Sequence, residues 1–249
     1  MLVHGALGDH RQWDAIGHVL ERRLRVTSIS RRHHWPNPMP APETPYSYDG
    51  HADDLRTFLR TFAAPVHLAG HSWGAGVSLL TALREPALLR SLVLIEPSFG
   101  SLLEGATPEL TMELASRDDL MATIRRLSGA GHVEGASRAL MDWLQASPRG
   151  FDDLPEWARH AILDNAKTIG PTFSEPPPKV TCDELRSFAQ PSLVLHGAKT
   201  RLFYRLVAER AAACLANARL APIPDCGHMS IAENPQGVAT MLFDFLVQN

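Results

Sequence analysis

The sequence predicts an α/β protein built on a mostly parallel sheet, because short apolar runs alternate with amphipathic helical stretches at both ends of the chain. In the middle, helical patterns continue without any strand. The chain has 249 residues, of which 45% are hydrophobic and 20% charged, and this is enough to bury one large core. We therefore predict one α/β domain that carries a helical insert.

The apolar and amphipathic runs predict the order of the elements. The predicted strands are residues 2–4, 24–30, 65–69, 91–95, 192–196 and 218–223. The predicted helices are residues 13–21, 48–62, 75–84, 204–215 and 235–247. Residues 100–181 show only helical patterns, separated by glycine-rich and proline-rich breaks. We predict a core formed by residues 1–99 and 182–249 and a helical cap formed by residues 100–181.

Charge and cysteine usage exclude several classes of partner. The net charge of -3 offers no concentrated basic patch for nucleic acid or an anionic membrane. Neither a span of about 18 apolar residues nor a signal peptide is visible. Three cysteines without C-x-x-C spacing argue against a disulfide framework or a zinc site and favour a reducing compartment. We expect a cytoplasmic protein without metal or cofactor, whose partner is a small-molecule substrate.

Residues 70–74 form the pattern G-x-S-x-G between an apolar run and a helical pattern. A serine nucleophile needs a sharp, strained turn, and small residues on both sides let the strand and the helix approach closely enough to form it. The N-terminus of the following helix adds positive potential beside a developing oxyanion. We predict that Ser72 is the nucleophile.

An oxyanion hole needs two backbone donors beside that serine. The first strand ends in His4-Gly5. Where a serine nucleophile lies on a turn between a strand and a helix, the loop at this position supplies the second backbone N–H. The N–H groups of Ala6 and Trp73 are the predicted pair.

His228 is the candidate general base. It follows the last strand and a glycine, so its imidazole can reach back to the serine, take the proton and later return it. Of the 12 histidines in the sequence, only this one combines that turn with the chain order serine, acid, histidine.

These motifs together resemble the α/β-hydrolase superfamily over essentially the whole chain, and the resemblance implies an α/β-hydrolase fold with a helical cap insert. In most members the acid of the triad ends the pattern Gly-x-x-Asp after the seventh strand, but here Thr200 stands at that position. A threonine cannot stabilise the imidazolium. Glu96, directly after the preceding strand, is the predicted acid, an arrangement that resembles a minority of the superfamily. Asp225, three residues before His228, is the rival, although its spacing suits a turn within its own loop.

The nucleophile limits the reaction. Dehalogenases and epoxide hydrolases of this superfamily use an aspartate, because an alkylated serine would be a dead-end ether. Ser72 leaves acyl transfer to water, with an ester or lactone as the predicted bond. Enzymes that hydrolyse carbon–carbon bonds or peptides use the same triad, so these reactions remain alternatives. A further alternative is a small-molecule receptor of the same fold in which turnover is slow or absent.

Specificity is expected to come from Trp73 and the cap, where Met141, Trp143 and Trp157 are predicted substrate contacts. The same apolar faces could equally form cap core. If they line the pocket, the substrate is hydrophobic and of small to medium size.

The oligomeric state rests on a weaker argument. Superfamily members usually begin with a strand hairpin before the His-Gly strand, whereas this sequence opens at that strand. Either the hairpin is missing or the given start is late. If it is missing, a sheet edge is exposed, and we expect a homodimer to form through that edge.

Overall fold

The structure is a computed structural model that describes residues 1–39, 46–103, 105, 107–174 and 176–249. Within these ranges, six parallel strands form one sheet in the order β2-β1-β3-β4-β5-β6. The strands are β1 (Leu2–Val3), β2 (Ser28–Ile29), β3 (Val66–His71), β4 (Leu89–Ile95), β5 (Ser192–Gly197) and β6 (Ala218–Ile223). From β3 onward consecutive strands are neighbours, so their carboxyl ends meet at one edge of the sheet.

Helices connect the strands and cover the sheet. The α-helices of the described part are α1 (Asp14–Leu20), α2 (Tyr48–Leu59), α3 (Trp73–Arg84), α4 (Pro108–Gly129), α5 (Val133–Leu144), α6 (Glu156–Asp164), α7 (Ile169–Thr172), α8 (Cys182–Arg186), α9 (Leu202–Cys214), α10 (Ser230–Glu233) and α11 (Pro235–Gln248). The parallel α/β sheet predicted from the sequence is confirmed. Its second strand is much shorter than predicted, two residues in place of the run 24–30.

Both faces of the sheet are buried, as a parallel sheet requires. Successive side chains of a strand point to opposite faces, and β4 demonstrates this alternation. Leu92 and Leu94 join the core cluster that includes residues of α2, α3 and α9. Val93 and Ile95 join the cluster that includes residues of α1 and α11. The strand therefore reads as a continuous apolar run.

The long connection from β4 to β5 contains α4 to α8. Two threonines stabilise helix starts there. Thr107 accepts a hydrogen bond from the Leu110 N–H at the start of α4, and Thr181 forms a capping box with Glu184 at the start of α8. Helix α4 packs against α5 and also against α9 of the sheet layer. The boundaries of a separate cap at residues 100 and 181 stay a prediction.

One sequence-based prediction about cysteine is wrong, because Cys182 and Cys214 form a disulfide. The bond joins α8 to the last residue of α9 and so fixes the end of the β4–β5 connection to the sheet layer. An odd cysteine count allows one pair and one free thiol, and Cys226 is the buried free cysteine. The argument for a reducing compartment therefore loses its support.

Two further expectations concern the surroundings of the protein. Among the residues that the structure describes, no helix combines the length and apolarity needed to cross a bilayer. β2 is an edge strand of the sheet, and pairing of two chains through that edge stays a prediction.

Reduction of the disulfide should lower the free energy of unfolding. The two cysteines are 32 residues apart, and closing a loop of that size stabilises a fold by about 2 to 4 kcal/mol through the unfolded chain. Urea unfolding with and without dithiothreitol measures the change. A Cys182→Ser/Cys214→Ser variant is the control, since its midpoint should not respond to the reductant. Equal midpoints for the wild type under both conditions would contradict the prediction.

Candidate active site

Ser72 occupies the sharp turn between β3 and α3. Its backbone has φ 52° and ψ -118°, a left-handed conformation that is strained for a residue with a side chain. The Ser72 N–H donates to the Ile95 carbonyl at 2.8 Å, which anchors the turn to the end of β4. The hydroxyl is therefore presented at the carboxyl edge of the sheet.

Two glycines make this turn possible. A Cβ atom on Gly74 would lie 2.2 Å from the His4 carbonyl oxygen, and one on Gly70 would lie 2.4 Å from the Gly74 carbonyl oxygen. Such distances are far below van der Waals contact, and the obstructing atoms belong to the backbone. The glycines of G-x-S-x-G are thus required because α3, β1 and β3 approach one another without side chains between them.

His228 contacts both of its expected partners. Its Nε2 lies 2.9 Å from the Ser72 hydroxyl, and its Nδ1 lies 2.9 Å from Oε2 of Glu96. A carboxylate only accepts, so Nδ1 carries the hydrogen and Nε2 is free to accept from the serine hydroxyl. The imidazole is 1% exposed. The structure thus brings together the three residues predicted for nucleophile, base and acid.

Glu96 is a fully buried carboxylate at the end of β4, with 0% exposure and φ 54°. Besides His228, it accepts hydrogen bonds from the Gly197 N–H and from the Thr200 hydroxyl, the latter at 2.8 Å. Burial of a carboxylate is costly unless donors surround it, and three donors do so here. Thr200, which stands where most superfamily members carry the acid, holds the acid from the neighbouring strand.

Asp225 is not placed to serve the imidazole. Its side chain is 87% exposed, and its carboxylate lies 3.3 Å from Lys199 Nζ. It has φ 58°, which fits the turn role expected from its spacing.

His71 stabilises the loop that carries His228. Its Nε2–H donates to the His228 carbonyl at 3.0 Å, and its Nδ1 accepts from the Gln12 amide at 3.2 Å. Burial and the neighbouring His228 lower the pKa of His71 to about 3, so the ring stays neutral and keeps this pattern at neutral pH. It packs beside the His228 ring and in addition holds the backbone of His228.

The predicted oxyanion donors flank the same cavity. Ala6 and Trp73 line it together with Ser72. Within the described residues, the N–H groups of Ala6 and Trp73 donate to no other protein group, so both are free for a ligand oxygen.

The peptide group that precedes Ala6 has unusual partners, which sequence reasoning missed. The Gly5 carbonyl accepts from His4 Nδ1–H at 2.8 Å and from Arg31 Nη2 at 3.0 Å. Arg31 is 4% exposed, and its guanidinium carbon lies 4.3 Å from the Trp73 ring centroid. The position of Arg31 directly after a predicted strand was the only signal in the sequence.

A narrow cavity lies between the triad and the insert. It offers about 60 Å³ to the centres of water-sized spheres. Because one water needs roughly 10–15 Å³ on that measure, the cavity holds about four to six waters. Three of the predicted substrate contacts line it, namely Trp73, Met141 and Trp143.

Trp157 is not brought to Ser72. It is 41% exposed and borders a smaller neighbouring cavity, because α6 turns that side chain to the surface. Conversely, no sequence pattern pointed to Arg117, Leu120 and Met121 of α4, which line the cavity beside Ser72. Within the described residues, no three His, Cys, Asp or Glu side chains are grouped as ligands for a metal.

Relatives of known name match the chain at low identity. The chain is 27% identical to a pimeloyl-[acyl-carrier protein] methyl ester esterase of Aromatoleum aromaticum, with 98% of this chain and 96% of that protein covered. It is 26% identical to a 2-succinyl-6-hydroxy-2,4-cyclohexadiene-1-carboxylate synthase of Serratia proteamaculans, with 98% and 91% covered. A probable oxidoreductase EphD of Mycobacterium tuberculosis is 31% identical over 88 residues, but this match spans only 15% of that protein.

Solved structures share the fold over the whole chain. MenH from S. aureus has a TM-score of 0.76 at 20% identity, with 99% of this chain and 92% of that chain covered. The hydrolase olei00960 from Oleispira antarctica has a TM-score of 0.80 at 18% identity, with 100% and 90% covered. The model of the Alpha/beta hydrolase family matches residues 1–241. The chain therefore belongs to the alpha/beta hydrolase family.

Proposed function

We propose that the protein is a serine hydrolase that cleaves a carboxylic ester or lactone of small to medium size through an acyl-enzyme on Ser72. The observation that carries this proposal is the continuous hydrogen-bonded chain from the Ser72 hydroxyl through His228 to the buried Glu96. That arrangement is the one that activates a serine for acyl transfer.

The first half of the reaction forms the acyl-enzyme. Ser72 Oγ attacks the carbonyl carbon while its proton passes to His228 Nε2, and Glu96 stabilises the resulting imidazolium. The N–H groups of Ala6 and Trp73 donate to the oxyanion of the tetrahedral intermediate. His228 then protonates the departing alcohol oxygen, and the ester bond breaks.

The second half returns the enzyme to its starting state. A water molecule gives a proton to His228 and attacks the acyl carbon, and the same two N–H groups hold the second oxyanion. His228 returns the proton to Ser72 Oγ as the acid leaves. Esters and lactones suit this site because serine gives a hydrolysable acyl-enzyme. The mainly apolar lining by Met141, Trp143 and their neighbours favours an apolar acyl or alcohol portion.

The direct test is sustained turnover. We expect many cycles per minute on 4-nitrophenyl butyrate. A phosphonate ester should lose its leaving group to Ser72 and add the mass of the phosphonyl group to a peptide containing that residue. The Ser72→Ala variant is the control and should show neither signal. A single burst of nitrophenol without further release would indicate a receptor or an acyl-enzyme that is not hydrolysed. Phosphonate modification of a residue other than Ser72 would show that the choice of nucleophile is wrong.

Glu96→Gln should lower kcat by about 10³ to 10⁴, since a neutral amide neither stabilises the imidazolium nor holds the neutral imidazole in the tautomer with its hydrogen on Nδ1. The measurement is steady-state hydrolysis of the same ester, with circular dichroism to show that the variant folds. Asp225→Asn is the matched control, because that carboxylate faces solvent, and its kcat should equal the wild-type value. Near-normal activity of Glu96→Gln, or loss of activity in Asp225→Asn, would overturn the choice of acid.

A further inference from the structure

Among the described residues that line the cavity, Arg117 of α4 is the one that carries a permanent charge, which an apolar ester does not explain. It lines the same cavity as Ser72. Among the residues that the structure describes, no carboxylate lies within ion-pair distance of it. The nearest acidic residue on its own helix face, Glu113, is held by Arg201 at 2.9 and 3.0 Å. The charge of Glu113 is therefore already neutralised, whereas no described carboxylate neutralises the charge of Arg117.

The guanidinium of Arg117 lies over the ring of the buried Phe203. Its central carbon is 5.0 Å from the Phe203 ring centroid. Its charge also lowers the pKa values of Tyr48 and Tyr204, against the upward shift that burial causes in both. Tyr204 in turn lies 4.1 Å from the His228 ring, centroid to centroid. Arg117 thus acts on the immediate surroundings of the triad.

Most of the rest of that wall is apolar, although Ser98 and Thr172 also line it. The apolar residues of the insert include Leu120, Met121, Leu140, Met141, Leu144 and Phe173. A cation that no described carboxylate pairs, set among mostly apolar side chains, favours a ligand that has an apolar chain and one anionic end, and a guanidinium binds carboxylates through two parallel hydrogen bonds.

We propose that the ester substrate carries a carboxylate, bound by Arg117, at the end of a short apolar chain. This inference rests on the proposed function, because Ser72 must cleave the bond at the other end of the chain. Given about four to six waters of room, the acyl chain has about that number of carbon atoms.

Two esters with six-carbon acyl chains test the charge alone. 4-Nitrophenyl hydrogen adipate ends in a carboxylate and 4-nitrophenyl hexanoate in a methyl group. We expect kcat/KM to favour the adipate by at least about tenfold, since a hydrogen bond to a charged partner contributes that much. Arg117→Gln should reduce the ratio to near one, and Arg117→Lys should retain part of it. Arg125→Gln, an exposed arginine on the same helix, should keep the wild-type ratio.

A binding measurement separates this inference from the proposed function. In the Ser72→Ala variant, calorimetry should give a lower Kd for methyl hydrogen adipate than for methyl hexanoate. Adding Arg117→Gln to that variant should make the two Kd values equal. If Ser72→Ala binds the anionic ester preferentially but the wild type hydrolyses neither ester, the carboxylate site is supported and the proposed esterase activity is wrong. Turnover of both esters at equal kcat/KM, or a ratio that survives Arg117→Gln, would overturn the carboxylate site.

A second, independent observation concerns the peptide group between Gly5 and Ala6. The carbonyl of this group accepts two donors, one of them the buried guanidinium of Arg31, while its N–H is free beside Ser72. Hydrogen bonds polarise one another along a chain, so a cation on the carbonyl makes the N–H a stronger donor. Arg31 has no carboxylate partner in the described part of the chain, and the Trp73 ring, whose residue supplies the other N–H, lies against it.

We infer that Arg31 is a positioning residue for the oxyanion hole, acting through the Gly5 carbonyl and Trp73 without touching the substrate. Its effect belongs to the anionic intermediate and not to the neutral ester. A loss of Arg31 should therefore reduce kcat and leave KM nearly constant.

Arg31→Met should lower kcat by about 10-fold to 100-fold, less than the loss of a whole oxyanion donor. The affinity for 1-butaneboronic acid, which forms a tetrahedral anion on serine, should fall by a similar factor. The kcat and the boronate affinity of Arg31→Lys should lie between those of the wild type and Arg31→Met. Arg31→Gln replaces Arg31→Met if the methionine variant does not fold. Arg32→Met, the neighbouring arginine that pairs with Asp54 at the surface, is the control. Wild-type boronate affinity in any folded, uncharged variant would overturn the inference.

Discussion

The hydrogen bond between His228 and the buried Glu96 is the interaction on which the site depends. A carboxylate with 0% exposure is stable only where donors replace its lost water. The sheet supplies them because its strands are parallel and adjacent. Ser72 follows β3, Glu96 follows β4, Thr200 follows β5 and His228 follows β6, so four neighbouring strand ends deliver one side chain each to the same edge.

That topology also explains why the proposed acid, Glu96, can follow β4 although most superfamily members carry the acid in the loop that holds Thr200 here. The imidazole Nδ1 requires a carboxylate within hydrogen-bond distance, and the ends of β4 and β5 lie side by side. Glu96, which follows β4, supplies the carboxylate that contacts His228. Thr200, which follows β5, donates one of the hydrogen bonds that this carboxylate accepts. The geometry of Ser72 and His228 is unaffected, because neither residue follows those two strands.

The sequence was sufficient for features that depend on local chain geometry and insufficient for those that depend on packing. The glycines at 70 and 74 and the strand that ends at Glu96 are local, and the predicted sheet is confirmed. The pairing of Cys182 with Cys214 depends on the contact between α8 and α9, which no pattern within either helix reveals. The position of Trp157 away from Ser72 has the same cause, since periodicity identifies an apolar face but not what that face contacts.

The local distribution of charge gives the site a character that net charge conceals. At -3 overall, the chain has no field that would attract an anion from a distance. Inside the site the balance is reversed. Glu96 is surrounded by donors, while Arg31 and Arg117 lie near the cavity without carboxylate partners in the described chain. Charges act more strongly where apolar walls exclude water, so these two arginines outweigh the acidic surface for any group enclosed beside Ser72. A site of this kind favours negative charge twice, once on the substrate and once on the oxygen that becomes an anion during catalysis.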